Sequence, residues 1–384
     1  MDHKYYRYYF IAFMAWSCTY SMITVYLNEY IGISAAKVGA FMSFIPLITM
    51  VFQPFWGAVS DSKGNRKAVL AKLIIITGII ALIMPLIRNE FGAFVGYAIF
   101  MVFLAGQNPI SDGMAMNYVN LEAKRASYGA IRTWGSVGYA FGAFVVAQLA
   151  SVFGLQFLFY FAFSGYLVSL YNLKKLTSYG VTRERQSYMK DLKQLLRNPS
   201  YAFLLLFTFL LIGAFFAGEQ FVFMYTRAAG VSLSELGIIT SVSVVIEIPL
   251  IFYSKRILDR LGLKKMLWLL TLTNMLRMIV LGFSLSFWWF FAAGIIRGIF
   301  VGSFIPFFIE LISQMTDGQL VTSGIAIYSA VSTGLGSFIF TMVGSAVTAL
   351  YSYQVMYFSL SGIIFINVLL LRKMSALTGQ TTSQ

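Results

Sequence analysis

Apolar and polar positions along this chain come in long blocks. Apolar runs cover 6–28, 35–58, 67–87, 91–118, 127–151 and 155–173. After a polar stretch they resume at 200–226, 234–256, 265–286, 288–313, 320–348 and 352–371. A helix of about 20 apolar residues spans a hydrocarbon core. Lipid offers the backbone no hydrogen bonds, so such runs must be helical. The pattern predicts an all-α membrane protein of twelve transmembrane helices in two six-helix halves. We expect 1–173 as the first half, 174–199 as a cytoplasmic linker and 200–384 as the second half.

The linker, KKLTSYGVTRERQSYMKDLKQLLRNP, is the one long polar stretch. Met189, Leu192, Leu195 and Leu196 recur there at helical spacing among basic residues. That pattern predicts a short amphipathic helix on the inner membrane surface. The N-terminal MDHKYYRYYF leads into an apolar run too long for the core of a cleaved signal, and is read as the start of helix 1.

The break between the second and third runs, GAVSDSKGNRKAVL (Gly57–Leu70), must be a tight hairpin. Gly64 is placed to take positive φ where the chain reverses. Arg66 and Lys67 suit lipid phosphates. Asp61, at the mouth of the bilayer, needs a partner.

The same stretch recurs 198 residues later as Asp259, Gly262, Lys264 and Lys265. Upstream, Gly32, Ser34, Gly39 and Ser43 fall on Gly230, Ser232, Gly237 and Ser241. The identities sit mainly at positions with a backbone or charge role, as in an internal duplication. Two copies in one register imply halves related by a pseudo-two-fold axis along the membrane normal. The doubled G-x-x-x-D-x-x-G-x-R-[RK] pattern resembles the loop signature of the major facilitator superfamily, between helices 2 and 3 and again between helices 8 and 9. The second copy departs in one place, with Lys255 where Gly57 stands.

Composition agrees with a membrane chain: 59% of residues are hydrophobic and 11% charged, against about 25% charged in a soluble domain. The +14 net charge does not point to nucleic acid. Of the 28 Lys and Arg, 22 fall in segments on one side and only Lys37, Arg88 and Arg227 on the other. That asymmetry places both termini in the cytoplasm. Cys18 and His3, each the sole residue of its type, provide no disulfide, zinc site or haem site. No cofactor is expected, and no nucleotide motif is present.

The remaining charges lie inside apolar runs: Asp112, Arg132, Glu219, Glu247, Arg277, Arg297 and Glu310. Each costs several kcal/mol unpaired in lipid, so each should face protein or water. Glu310, near an inner helix end, can reach water directly. The expected pairs are Asp112 with Arg132 and Glu247 with Arg277, Glu247 being the candidate for carrying a coupling proton. Trp134 stands near Arg132 and could border the same cavity, although two residues of separation put them on different helix faces.

Around these charges the likeness narrows. YGAIRTWGSVGYAFGA (Tyr128–Ala143), NPISDGMA (Asn108–Ala115) and SVSVVIEIPLIFYSKR (Ser241–Arg256) resemble segments of the lactose-permease and phenylpropionate-permease branch. The resemblance implies that Arg132 is a substrate-site arginine and that Asp112, Glu247 and Arg277 line a central cavity. Where that branch carries a helix 10 histidine, this chain has Arg297, which does not titrate.

Glycines recur in helix 5 (Gly129, Gly135, Gly138, Gly142) and helix 11 (Gly324, Gly334, Gly336, Gly344), where small residues let helices approach closely. Tyr5, Tyr6, Tyr8, Tyr9, Trp288 and Trp289 lie at helix ends and read as interface anchors.

The function expected is secondary active transport of a small polar or aromatic organic solute (sugar, oligosaccharide, nucleoside or organic acid) across the cytoplasmic membrane. The expected mode is alternating access with proton coupling, in a monomer whose partners are the substrate, a proton or other ion, and the bilayer. The alternatives are a drug or metabolite efflux antiporter and a non-transporting receptor or scaffold on the same fold. An enzyme is not expected, because no nucleophile–base pair or metal set is visible.

Overall fold

The computed structural model describes residues 2–62, 64–121, 127–177, 195–316 and 321–381. No strand occurs among them. Among the described residues, eleven helices are long and apolar enough to cross a membrane. In chain order these are α1 (His3–Tyr30), α2 (Ala35–Ser62), α3 (Arg66–Leu86), α4 (Glu90–Val119) and α5 (Tyr128–Phe153), then α7 (Pro199–Ala228), α8 (Leu233–Ser254), α9 (Arg256–Gly282), α10 (Phe287–Met315), α11 (Ser323–Leu350) and α12 (Tyr353–Arg372). The twelfth, α6 (Phe157–Lys174), carries three tyrosines, Asn172 and Lys174, which lower its apolar character. The amphipathic linker helix expected from the sequence falls mostly on 178–194, outside the described residues.

Most boundaries lie within two or three residues of the apolar runs. Between α8 and α9 the helical backbone does not stop at the second hairpin: it runs from Leu233 to Gly282, through the basic residues, and leaves helical geometry at Gly262 (φ 73°, ψ 165°), close to the break expected from the apolar pattern.

The duplication is visible in the backbone. Gly32 and Gly230 have φ of 84° and 83°, and Gly64 and Gly262 have 62° and 73°. Each pair is 198 residues apart, so the same left-handed turns recur in both copies, at sites where a side chain would be strained.

Residues cluster into two compact units. One holds Met1–Arg185 with Thr226–Val245, the other Gln186–Tyr225 with Ile246–Gln384. In the first unit α1 packs against both α5 and α6. A Cβ on Gly138 would stand 2.0 Å from the Phe10 carbonyl oxygen, and one on Gly142 would stand 2.5 Å from that of Met14. These two glycines let the helix backbones touch. Gly165 of α6 approaches Ala15 in the same way. In the second unit Gly213 of α7 meets Gly336 of α11 backbone to backbone, at a π-helical turn, Ala330–Gly336.

The tyrosine cluster of α1 differs from expectation. Tyr5, Tyr8 and Tyr9 are buried. The Tyr5 hydroxyl donates to the Thr177 carbonyl at 2.7 Å, and the Tyr8 hydroxyl lies 3.1 Å from Ser111 Oγ. A phenol at a membrane-helix end serves the interface or a buried acceptor equally well; the carbonyls and hydroxyls of neighbouring helices decide it here. Trp288 and Trp289 are exposed, as interface anchors would be. Cys18 is a small buried residue of α1.

Candidate functional site

The loop signature folds as a small ionic clasp. Asp61 Oδ1 accepts from Arg66 Nε at 2.9 Å and from Nη2 at 2.7 Å, across the turn made by Gly64. Arg66 in turn lies against Gly113 of α4, where a Cβ would meet its Nη1 at 3.3 Å. Lys67 Nζ donates to the carbonyls of Lys174 and Leu176 at 2.7 and 2.8 Å. A cation on the last carbonyls of a helix is favoured by the helix dipole. The first hairpin thereby ties α2, α3, α4 and α6 to one another at one end of the helices. Gly57 has no atom within 4 Å of a Cβ built on it. In the second copy Asp259, Gly262, Lys264 and Lys265 are all exposed.

In the first unit a polar and aromatic face runs along α1, α4 and α5. Asp112 Oδ1 accepts the Tyr9 hydroxyl at 2.7 Å, with the Tyr128 hydroxyl and the Arg132 charge acting on the same carboxylate. The Tyr9 ring stacks on Phe13 with centroids 5.8 Å apart, and the Arg132 guanidinium lies 4.3 Å from the Phe13 centroid. Phe13 meets Trp16 edge to face at 5.4 Å. Trp16 contacts Tyr20 at 5.1 Å and Tyr139 at 5.4 Å.

Helical spacing explains this alignment. Phe13, Trp16 and Tyr20 share one stripe of α1, and Arg132, Ser136 and Tyr139 share one stripe of α5. Arg132 to Tyr139 spans about 10 Å at 1.5 Å per residue. Asp112, Arg132, Trp16, Tyr20 and Tyr139 are all half-buried. Trp134 sits elsewhere: it stacks on Tyr6 at 6.0 Å, meets Phe10 at 6.5 Å and is 45% exposed. Trp16, Tyr20 and Tyr139 were not singled out from sequence, although their spacing on two helices facing Arg132 was available as a signal.

In the second unit the carboxylate bonded to Arg277 is Glu219, where the sequence reading had paired Arg277 with Glu247. Glu219 bridges two helices: Oε1 accepts from Arg277 of α9, and Oε2 accepts from Arg297 Nε of α10 at 2.6 Å. Depth accounts for the change of partner. Arg277 lies five residues before the C-terminal end of α9, level with Glu219 toward the C-terminal end of α7, whereas Glu247 lies deeper in α8. Arg277 is 1% exposed, with Phe215 5.2 Å beneath it. Glu247 is half-buried, and its backbone is the point where α10 crosses α8: a Cβ on Gly302 would meet the Glu247 carbonyl oxygen at 2.7 Å. Glu310 is exposed and accepts from Gln314 at 3.0 Å, as a charge near a helix end can. No cluster of metal-ligating side chains occurs among the described residues.

The twelve helices, the repeated turns and the intramembrane charges find their counterpart among known proteins. A family model described as the MFS_1 like family matches residues 3–359. The chain belongs to this family of major facilitator transporters. It is 27% identical over 371 residues to the maltose permease of Geobacillus stearothermophilus, covering 95% of this chain and 92% of the permease. It is 29% identical over 165 residues to the sucrose permease of Escherichia coli, covering 39% of this chain and 38% of that one. A crystal structure of the nucleoside transporter NupG superposes with a TM-score of 0.82 at 17% identity, over 97% of this chain and 98% of that one. The protein is thus a multi-pass membrane transporter for a small molecule, not an enzyme.

Proposed function

We propose that the protein is a secondary active transporter that carries a sugar, oligosaccharide or nucleoside across the cytoplasmic membrane by alternating access, as a proton symporter. The observation that carries this reading is the half-buried face of Trp16, Tyr20 and Tyr139 beside Arg132 and Asp112. Aromatic faces stack on the C–H face of a sugar ring or on a flat base. A guanidinium and a carboxylate set close to them supply donors and an acceptor for hydroxyls. Relatives named as maltose and sucrose permeases favour a sugar. Both termini are placed in the cytoplasm by the distribution of basic residues, and the working unit is a monomer.

Coupling is assigned to Glu247. Both oxygens of Glu219 are held by guanidinium groups, so that residue fixes α7, α9 and α10 to one another. Glu247 lies deeper, at the α8–α10 crossing, where rocking of helices would change its surroundings. A Glu247→Gln variant is expected to keep substrate exchange and lose gradient-driven accumulation. Loss of both, or of neither, would remove Glu247 from the coupling step.

The binding site is tested by calorimetric titration of the purified protein with maltose, sucrose and uridine. One of these should bind, and Tyr139→Ala should weaken it at least tenfold without lowering the melting temperature. Unchanged affinity in Tyr139→Ala would show that the site lies elsewhere.

A further inference from the structure

Glu29, near the end of α1, and Arg227, near the end of α7, form an ion pair: Nε to Oε1 at 2.7 Å and Nη2 to Oε2 at 3.1 Å. They are 198 residues apart, the offset of the internal duplication. Each stands three residues before a left-handed glycine, Gly32 or Gly230. The pair therefore joins the same structural position in the two copies. A contact between equivalent positions brings like against like when the copies are identical. Here the copies have diverged to opposite charges, which makes the contact attractive.

The rest of the contact is similarly light and polar. Arg227 Nη1 also donates to the Val231 carbonyl at 2.7 Å, which holds the guanidinium in place. Below it, Ser234 Oγ donates to Gln148 Oε1 at 2.5 Å, Gln148 Nε2 donates to the Ser234 carbonyl at 3.3 Å, and Ser241 Oγ donates to the Ala140 carbonyl at 2.9 Å. Gly237 packs against Ala147. All these residues belong to the first compact unit, so the start of α8 is laid on α5 next to the aromatic face. The side chains of Glu29 and Arg227 are 31% and 26% exposed. Water can replace such bonds at small cost, unlike the buried pair at Glu219.

We infer that Glu29 and Arg227 form an electrostatic latch that holds the Gly32 and Gly230 ends of the helices together and sets how often the protein opens on that side. The inference rests on the alternating-access reading, but its readout does not require the substrate. A cysteine at Ala140, buried under the Ser241 contact, is placed in a Cys18→Ser background. Its modification by a membrane-impermeant maleimide is followed from the outside of whole cells. Glu29→Gln and Arg227→Gln should each speed labelling several-fold, and the double exchange Glu29→Arg with Arg227→Glu should return it toward the parent rate. Gel filtration confirms that each variant is folded. Labelling unchanged in both single variants would overturn the latch, as would a double exchange that labels as fast as the singles. If labelling responds as expected while no sugar or nucleoside is transported, the latch stands and the substrate assignment fails.

Discussion

Glu219 gives one oxygen to each of two arginines, so the effect of removing its charge has a definite sign. Glu219→Gln removes the negative charge that both guanidinium groups share, and one of them, Arg277, is almost fully buried. Breaking a buried pair from one side costs on the order of 3 kcal/mol. The expected outcome is a clearly lowered melting temperature in detergent, whereas Glu310→Gln, at an exposed site, should melt as the parent does. Asp61 calls for a different assay. Its clasp with Arg66 is partly exposed, and an ion pair of that kind contributes little to stability. Asp61→Asn should insert and fold normally yet transport more slowly, because the clasp links helix ends that must move; normal transport would contradict this role. The charges themselves were legible in the sequence, since each stood out in an apolar run. Their partners were not, because pairing depends on helix rotation and depth. Depth is what moved Arg277 from Glu247 to Glu219.

At the scale of the helix, hydrocarbon thickness imposes nearly the same length on every span, which is why apolar runs read the ends so closely. The reading weakened where polar residues continue a helix beyond its apolar run, as where α8 runs on to the kink at Gly262. It also failed where end tyrosines turned inward, since sequence does not show which carbonyl or hydroxyl lies opposite. The helix 5 glycines yield a direct test. Gly138→Ala would put a methyl group 2.0 Å from the Phe10 carbonyl oxygen. Overpacking against a backbone atom should cost about 3 kcal/mol and lower the yield of folded protein. Gly57→Ala, with open space around it, should fold as well as the parent. Equal melting of the two variants would refute the α1–α5 close approach.

For the whole molecule, the duplication carried most of what could be read in advance: the 198-residue offset predicted the paired hairpins, and the backbone repeats it in both pairs of left-handed glycines. The aromatic face is a product of the assembled fold, formed by residues far apart in sequence, and so had no motif to mark it. Topology is checked with cysteines placed at Arg88 and Arg185 in a Cys18-free protein, which should label from opposite sides of the membrane. The central claim is coupled transport, and uptake against a gradient tests it most directly. Purified protein in liposomes, given an inward proton gradient and radiolabelled maltose, sucrose or uridine, should accumulate one of them above the external concentration. A protonophore should abolish that accumulation and leave exchange intact. Equilibration without accumulation, or accumulation indifferent to the protonophore, would contradict proton-coupled symport.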